Sequence, residues 1–123
     1  MSHLTVLKTK VSRFDRETLL DVLRRSFEDL EIVYSTTSVR DVYVTITAPI
    51  ILRHKSGRYI GINPTTGEIL GDPYGWASTF NKITSAIVQK YIATVIAKRL
   101  HALGYSVRIS QTEKAIVGMG VKL

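Results

Sequence analysis

A single apolar stripe runs through residues 78–103 and constrains the fold more than any other feature of the chain. Its members recur at the three- and four-residue spacing of an amphipathic α-helix. Ser78 or Thr79 is expected to cap the start of this helix, and Gly104 to end it. With a rise of about 1.5 Å per residue the helix is about 39 Å long, enough to cross a small β-sheet.

Short strand patterns separated by turn residues fill most of the remaining chain. A first strand is predicted at residues 4–11, followed by a helix that starts at a Ser-x-x-Asp pattern and runs to residue 30. Further strands are predicted at residues 31–37, 41–47, 50–54, 59–62, 68–70, 105–110 and 115–122. The element order is therefore β-α-β-β, a meander, then α-β-β. We predict an α+β fold in which two helices cover one face of an antiparallel sheet, as a single domain over residues 1–123.

The composition indicates a globular protein of the cell interior. The chain has 123 residues, of which 45% are hydrophobic, and no apolar run approaches the roughly 20 residues that span a bilayer. The start lacks the basic and apolar regions of a secretory signal, so we expect a cytoplasmic protein with no membrane partner. The chain has no cysteine, which excludes disulfides and thiolate metal sites. Few asparagines, glutamines and methionines fit a thermophilic source.

Positive charge is in excess. Seventeen Lys and Arg residues against ten Asp and Glu residues give a formal net charge of +7. Such a field favours anionic partners such as RNA, DNA or acidic protein surfaces. A surface that only keeps the protein soluble would carry a similar charge, so the placement of the cations has to decide between the two.

The residue patterns of catalytic and cofactor sites are missing from the sequence. The three histidines, His3, His54 and His101, lie far apart, and none has a neighbour at metal-ligand spacing. The chain has no phosphate-binding glycine loop and no nucleophile elbow. We predict a non-enzymatic protein without metal or small-molecule cofactor. A histidine and a carboxylate that converged in a pocket would favour an enzyme instead.

The basic residues supply the candidate binding site. One cluster is predicted at a hairpin tip and another at the end of the first strand, where cations contact phosphates and aromatic rings stack on bases. The candidate nucleic-acid-binding residues are Arg53, His54, Lys55, Arg58, Tyr59, Lys8, Lys10, Arg13 and Trp76. Two alternatives stay open: the charges protect edge strands from pairing, and Trp76 packs beneath its loop against the long helix.

From these patterns we predict a small basic binding protein that contacts nucleic acid, RNA in preference to DNA, mainly through phosphates. The alternative is a protein–protein adaptor or a self-assembling homo-oligomer that uses a sheet edge. The strand at residues 115–121 is the predicted edge, because its two glycines permit close backbone approach.

The first nine residues, Met-Ser-His-Leu-Thr-Val-Leu-Lys-Thr, resemble the start of an uncharacterised plastid and cyanobacterial family, hypothetical chloroplast reading frame thirty-five. Shorter similarities follow at residues 50–53 and 59–62, at Trp76, at residues 90–91 and at residues 103–107. The chain differs from that family in a shorter stretch before residue 50 and in its Gly-Met-Gly end. The resemblance implies a compact α/β domain and no known activity.

Overall fold

The computed structural model describes residues 4–33 and 38–104. Its elements are β1 (Thr5–Lys8), α1 (Arg16–Ser26), β2 (Leu30–Val33), β3 (Ser38–Asp41), β4 (Val44–Thr47), β5 (Ile50–His54), β6 (Tyr59–Asn63), β7 (Glu68–Gly71) and α2 (Ala77–Ala102). The predicted α+β class is confirmed. The strands predicted at residues 105–110 and 115–122, including the predicted edge at 115–121, lie outside the described residues.

Five strands form one antiparallel sheet in the order β1-β7-β6-β5-β2. Alternate residues of a strand point to opposite faces. The isoleucines and leucine at alternate positions of β5, β6 and β7 form one apolar face: Ile50, Leu52, Ile60, Ile62 and Ile69. Their burial under the two helices makes this face the main core.

Both helices pack on that face, each with an identifiable start. Asp15 caps α1 by accepting a 3.0 Å hydrogen bond from the Thr18 amide. Ser78 and Thr79, the predicted caps at the start of α2, are wrong, because the helix starts after Trp76 and has no side-chain cap there. The predicted end at Gly104 is confirmed, since this glycine follows the C-cap Leu103 with φ +93°. Phe80 of α2 packs directly on β7, where a Cβ at Gly71 would lie 2.4 Å from its ring. The absent side chain at Gly71 lets helix and sheet approach closely.

The single strand predicted at residues 41–47 is wrong. The chain reverses at Val42 and Tyr43, so that β3 and β4 form a separate two-stranded hairpin with Asp41 opposite Val44. This hairpin packs on the face of the sheet opposite α1 and α2 through Ile46, which is fully buried. The predicted two-layer arrangement therefore has a third layer over part of the sheet.

Candidate functional site

The basic cluster predicted at the β5–β6 hairpin does not form a surface patch, because Arg58 points inward. Its Nε lies 2.9 Å from Asp41 Oδ1, and its Nη2 lies 3.3 Å from Asp41 Oδ2 and 4.0 Å from Asp72 Oδ2. The side chain of Arg58 is 15% exposed, and both carboxylates are buried. We call Arg58, Asp41 and Asp72 the arginine clamp.

The backbone before α2 completes this clamp. Arg58 donates hydrogen bonds to the Tyr74 carbonyl (2.8 Å) and the Asp72 carbonyl (2.9 Å). The Trp76 ring lies 5.1 Å from the guanidinium carbon, and its Nε1 donates to the Asp72 carbonyl at 2.7 Å. Trp76 is half-buried against Phe80. Of the two alternatives for Trp76, the structure shows the packing one.

The remaining hairpin cations face acids. Arg53 is the cross-strand partner of Glu31, and Lys55 Nζ lies 3.3 Å from a carboxylate oxygen of Asp29. Both basic side chains line a shallow groove that also contains Glu28. Opposite charges at this spacing cancel much of each other's field at longer range. The hairpin tip is therefore close to charge balance.

His54 and Tyr59 do not belong to an exposed hairpin surface either. His54 is only 7% exposed and lies on the helix side of the sheet, with its ring 5.5 Å from that of Trp76. Tyr59 is half-buried, packs on the second core cluster, and donates its backbone N–H to Asp41. The prediction that His54 lies exposed at a basic hairpin tip is wrong, because the alternation along β5 turns this side chain inward.

The second predicted cluster stays on the surface and gains two members. Its residues are Lys8, Lys10, Arg13, Arg16 and Lys98, which we call the basic end. None of the five forms an ion pair within the part of the chain that the structure describes. Lys8 is the cross-strand partner of Glu68, and the charges of Arg13 and Lys98 act on Asp15, so the basic end is open to an external anion although nearby acids offset part of its field.

The segment that carries these cations is fixed to the β6–β7 turn. Thr9 Oγ1 donates to the Gly67 carbonyl at 2.9 Å, and the Phe14 amide donates to the Pro64 carbonyl at 2.7 Å. Gly67, at φ +73°, is required here, because a Cβ would lie 1.9 Å from the Val11 carbonyl oxygen. The cations are thus presented from an anchored loop.

Lys98 joins the basic end through helix packing. Its Nζ lies 3.1 Å from the Thr18 hydroxyl oxygen. Hydrogen bonds from the Thr18 side chain and amide lower the pKa of Asp15, and the positive charges of Lys98 and Arg13 lower it further. The Tyr91 hydroxyl accepts a 2.7 Å hydrogen bond from the Asp15 amide. Electrostatically, Lys98 and Arg13 act on the same carboxylate although 85 residues separate them.

A groove of about 500 Å³ opens beside the start of α1. Arg13 and Arg16 line it together with Pro64, Thr65 and Tyr91. The sequence patterns did not single out Arg16 or Lys98. Only the crossing of α1 and α2 shows that they join Arg13.

Two exposed tyrosines lie near the end of β6 that is opposite the basic end. Tyr43, at the β3–β4 turn, is 68% exposed, and Tyr74 is 55% exposed. Both are next to backbone that the arginine clamp holds, because Arg58 bonds to Asp41 and to the Tyr74 carbonyl. Tyr43 was read as a strand residue in the sequence, so its position at a turn was not expected.

Comparison with protein-family models, with curated proteins and with solved structures yields no match. The resemblance to the plastid family stays a prediction. Among residues 4–33 and 38–104, neither helix is long and apolar enough to cross a membrane. Within the same ranges, no three His, Asp or Glu side chains are grouped to hold a metal ion.

Proposed function

We propose that this chain is a non-enzymatic protein that binds nucleic acid, RNA in preference to DNA, through phosphates at the basic end. One observation carries the proposal: Lys8, Lys10, Arg13, Arg16 and Lys98 lie on the surface without an ion-pair partner among the described residues. Phosphate contacts of this kind supply affinity regardless of base sequence.

The groove beside α1 supports this assignment. The planar guanidinium groups of Arg13 and Arg16 line it, and such groups contact phosphate oxygens through two parallel hydrogen bonds. The segment between the two arginines is held by hydrogen bonds from the Phe14 amide to the Pro64 carbonyl and from the Thr18 amide to Asp15, which limits the backbone freedom lost on binding. Lys55 at the hairpin tip makes no such contribution, because it already forms an ion pair with Asp29.

The preference for RNA is drawn from the exposed tyrosines. Unpaired bases stack on aromatic side chains, and single-stranded regions of RNA offer such bases most often. Tyr43 and Tyr74 lie at the Tyr59 end of β6, whereas the basic end lies towards Asn63, and the two ends of this strand are roughly 13 Å apart at about 3.3 Å per residue. A single strand that crosses the sheet would reach both.

Fluorescence anisotropy with a labelled 20-nucleotide single-stranded RNA tests the proposal. The wild type is compared with the triple variant Lys8→Gln, Lys10→Gln, Arg13→Gln at several salt concentrations. Each lost phosphate contact changes the slope of log K against log salt by about 0.7, so the triple variant is expected to reduce the slope by about 2. Affinities for the same sequence as duplex RNA and as single-stranded DNA are then compared with the affinity for single-stranded RNA to establish the preference.

A matched control uses the paired cations of the hairpin. The variant Arg53→Gln, Lys55→Gln removes two positive charges from a charge-balanced tip and is expected to leave the salt slope unchanged. Binding that ignores salt, or equal losses in both variants, would refute the basic end as the binding surface.

A second candidate function rests on the edge of the sheet. Among residues 4–33 and 38–104, β1 has a neighbour on one side only, β7, and Val6 of β1 and the adjacent Leu4 are exposed. An edge strand with apolar side chains is a template for pairing with another chain. A homo-oligomer formed this way would keep a fixed mass after nuclease treatment and would dissociate with Val6→Lys. A concentration-independent monomer in light scattering would refute this alternative.

A further inference from the structure

A cavity of about 500 Å³ lies between the end of α1, the loop that follows it, and the first turns of α2. It is separate from the basic end, which surrounds the start of α1, by the length of that 11-residue helix, about 16 Å. His54 closes the cavity from β5, and Lys82 lines it from α2. The proposed phosphate contacts do not use this space.

The hydrogen bonds of Ser56 fix the chemical form of His54. The Ser56 amide donates to His54 Nδ1 at 3.2 Å, and the Ser56 hydroxyl lies 2.7 Å from the same nitrogen. A backbone N–H only donates, so Nδ1 is an acceptor. The neutral ring therefore carries its hydrogen on Nε2, which becomes a hydrogen-bond donor.

That donor is open to a ligand. Among the described residues nothing accepts a hydrogen bond from Nε2. Every fully buried side-chain nitrogen and oxygen in these residues has a partner, so Nε2 is not sealed inside the protein. His54 is 7% exposed and lines the cavity, so the small accessible part of its ring presents a fixed hydrogen-bond donor to the cavity.

The other lining residues define what the ligand must be. Glu28 and Lys82 are exposed at the cavity and have no ion-pair partner among the described residues, so one acceptor and one cation are free. Phe27, Leu30 and Ile83 add half-buried apolar surface. The other two charges of the lining are already used: Arg25 binds Asp21, and Asp29 binds Lys55.

We propose that this cavity binds one unpaired nucleobase with its phosphate. An acceptor on the base edge receives the hydrogen of His54 Nε2, a neighbouring N–H of the base donates to Glu28, and Lys82 contacts the phosphate. The faces of the base lie on the apolar lining. The choice of a nucleotide over other planar ligands rests on the proposed function, since an RNA strand would extend from the basic end towards this cavity.

Isothermal titration with the four nucleoside 5′-monophosphates tests the cavity without a polyanionic backbone. Ribose 5-phosphate and inorganic phosphate are the base-free probes, and a free amino acid is the zwitterionic probe. At least one monophosphate is expected to bind about 10-fold more tightly than ribose 5-phosphate, as expected for one well-placed hydrogen bond to the base. Equal binding of ribose 5-phosphate, or preferential binding of the amino acid, would overturn the proposal.

Two variants assign the contacts. His54→Asn keeps an acceptor for the Ser56 amide but has no group in place of Nε2–H, so monophosphate affinity should fall about 10-fold. Glu28→Gln, on an exposed loop, tests the same pocket if His54→Asn lowers stability, and it should change which base binds best. Arg40→Gln is the control, because Arg40 belongs to β3 of the separate hairpin and lines neither this cavity nor the groove that contains Glu28. Unchanged affinity in both cavity variants would overturn the proposal.

The cavity and the basic end fail separately. If no monophosphate binds while RNA still binds with a steep salt slope, the nucleobase site is wrong and the proposed function stands. If monophosphates bind and RNA does not, the polyanion surface is wrong and the cavity is a nucleotide site in its own right.

Discussion

Arg58 and Arg13 have the same side chain and opposite uses. The guanidinium of Arg58 is held by Asp41 and by the backbone before α2, to which it donates four hydrogen bonds inside the protein. Arg13 lines an open groove and has no ion-pair partner among the described residues. The difference comes from tertiary structure. Two acids that are 17 and 14 residues away along the chain, Asp41 and Asp72, lie beside Arg58 and not beside Arg13.

The comparison separates charge that stabilises from charge that is available. The arginine clamp joins three parts of the fold, since Asp41 belongs to the β3–β4 hairpin, Arg58 to the turn between β5 and β6 of the sheet, and Asp72 to the connection that leads into α2. The charges of the basic end produce an electrostatic field that acts on external ligands, and they contribute little to the stability of the core. Mutations at the two places should therefore change different properties.

The largest expected effect is on stability, at the clamp. Arg58→Met leaves Asp41 buried without its cation, and breaking a buried ion pair in this way costs about 3–5 kcal/mol. Urea denaturation followed by circular dichroism measures the loss. The double variant Arg58→Met, Asp41→Leu should recover part of it, because no charge is then left unpaired. A loss of unfolding free energy below about 1 kcal/mol for Arg58→Met would mean that its pair with Asp41 contributes no more than an exposed ion pair does.

A smaller loss is expected where the basic end is anchored. Gly67→Ala puts a Cβ 1.9 Å from the Val11 carbonyl oxygen, which belongs to backbone and cannot simply rotate away. The overlap and the positive φ together are expected to cost about 2–4 kcal/mol in the same assay. Gly57→Ala is the matched control, since Gly57 also has a positive φ but has nothing within 4 Å of an added Cβ. Equal losses in both would show that the backbone at Val11 moves freely.

The cap of α1 gives a pH-dependent effect. Asp15→Ala removes the acceptor for Thr18 and is expected to cost about 1 kcal/mol at pH 7. Because the hydrogen bonds from Thr18 lower the pKa of Asp15 below 3.8, its contribution is complete above that value and is lost as the pH falls through the lowered pKa. Denaturation of both proteins from pH 7 to pH 2 should show the difference shrink. A constant difference would contradict capping by the carboxylate.

The smallest effect is expected at the hairpin tip. Lys55 and Asp29 form an exposed pair at 3.3 Å, and such pairs contribute about 0–1 kcal/mol. Lys55→Ala should lower the unfolding free energy by no more than this, and 1 M salt should remove most of the difference. A loss as large as that of Arg58→Met would erase the distinction between the two kinds of charge.

The spacing of apolar residues and the turn residues predicted most strands and both helices. Pro64 and Gly67 mark one hairpin, and the apolar stripes mark the helices. The β3–β4 turn escaped for a physical reason. The two turn residues, Val42 and Tyr43, are neither glycine nor asparagine. Val42 adopts φ +56°, which β-branched residues rarely do. An unbroken alternation of apolar and polar residues gives no sign of such a reversal.

The candidate site was predictable only in part. Lys8, Lys10 and Arg13 are close in sequence, so their clustering follows from the chain itself. Lys98 lies beside them because it contacts Thr18, which is 80 residues earlier in the chain. Arg58 is largely buried because it pairs with Asp41, which is also distant in sequence. Contacts at that separation depend on how the layers stack, and no local pattern encodes them.

The most direct measurement compares two variants in two assays: Arg58→Lys, and the double variant Lys10→Gln, Arg13→Gln. Arg58→Lys keeps the charge but loses the bidentate fork, so the account predicts a lower unfolding free energy and unchanged affinity for single-stranded RNA. The double variant should keep its stability within about 0.5 kcal/mol and lose RNA affinity at low salt. The reverse pattern, a stable Arg58→Lys protein with weakened RNA binding and an unaffected double variant, would contradict the account.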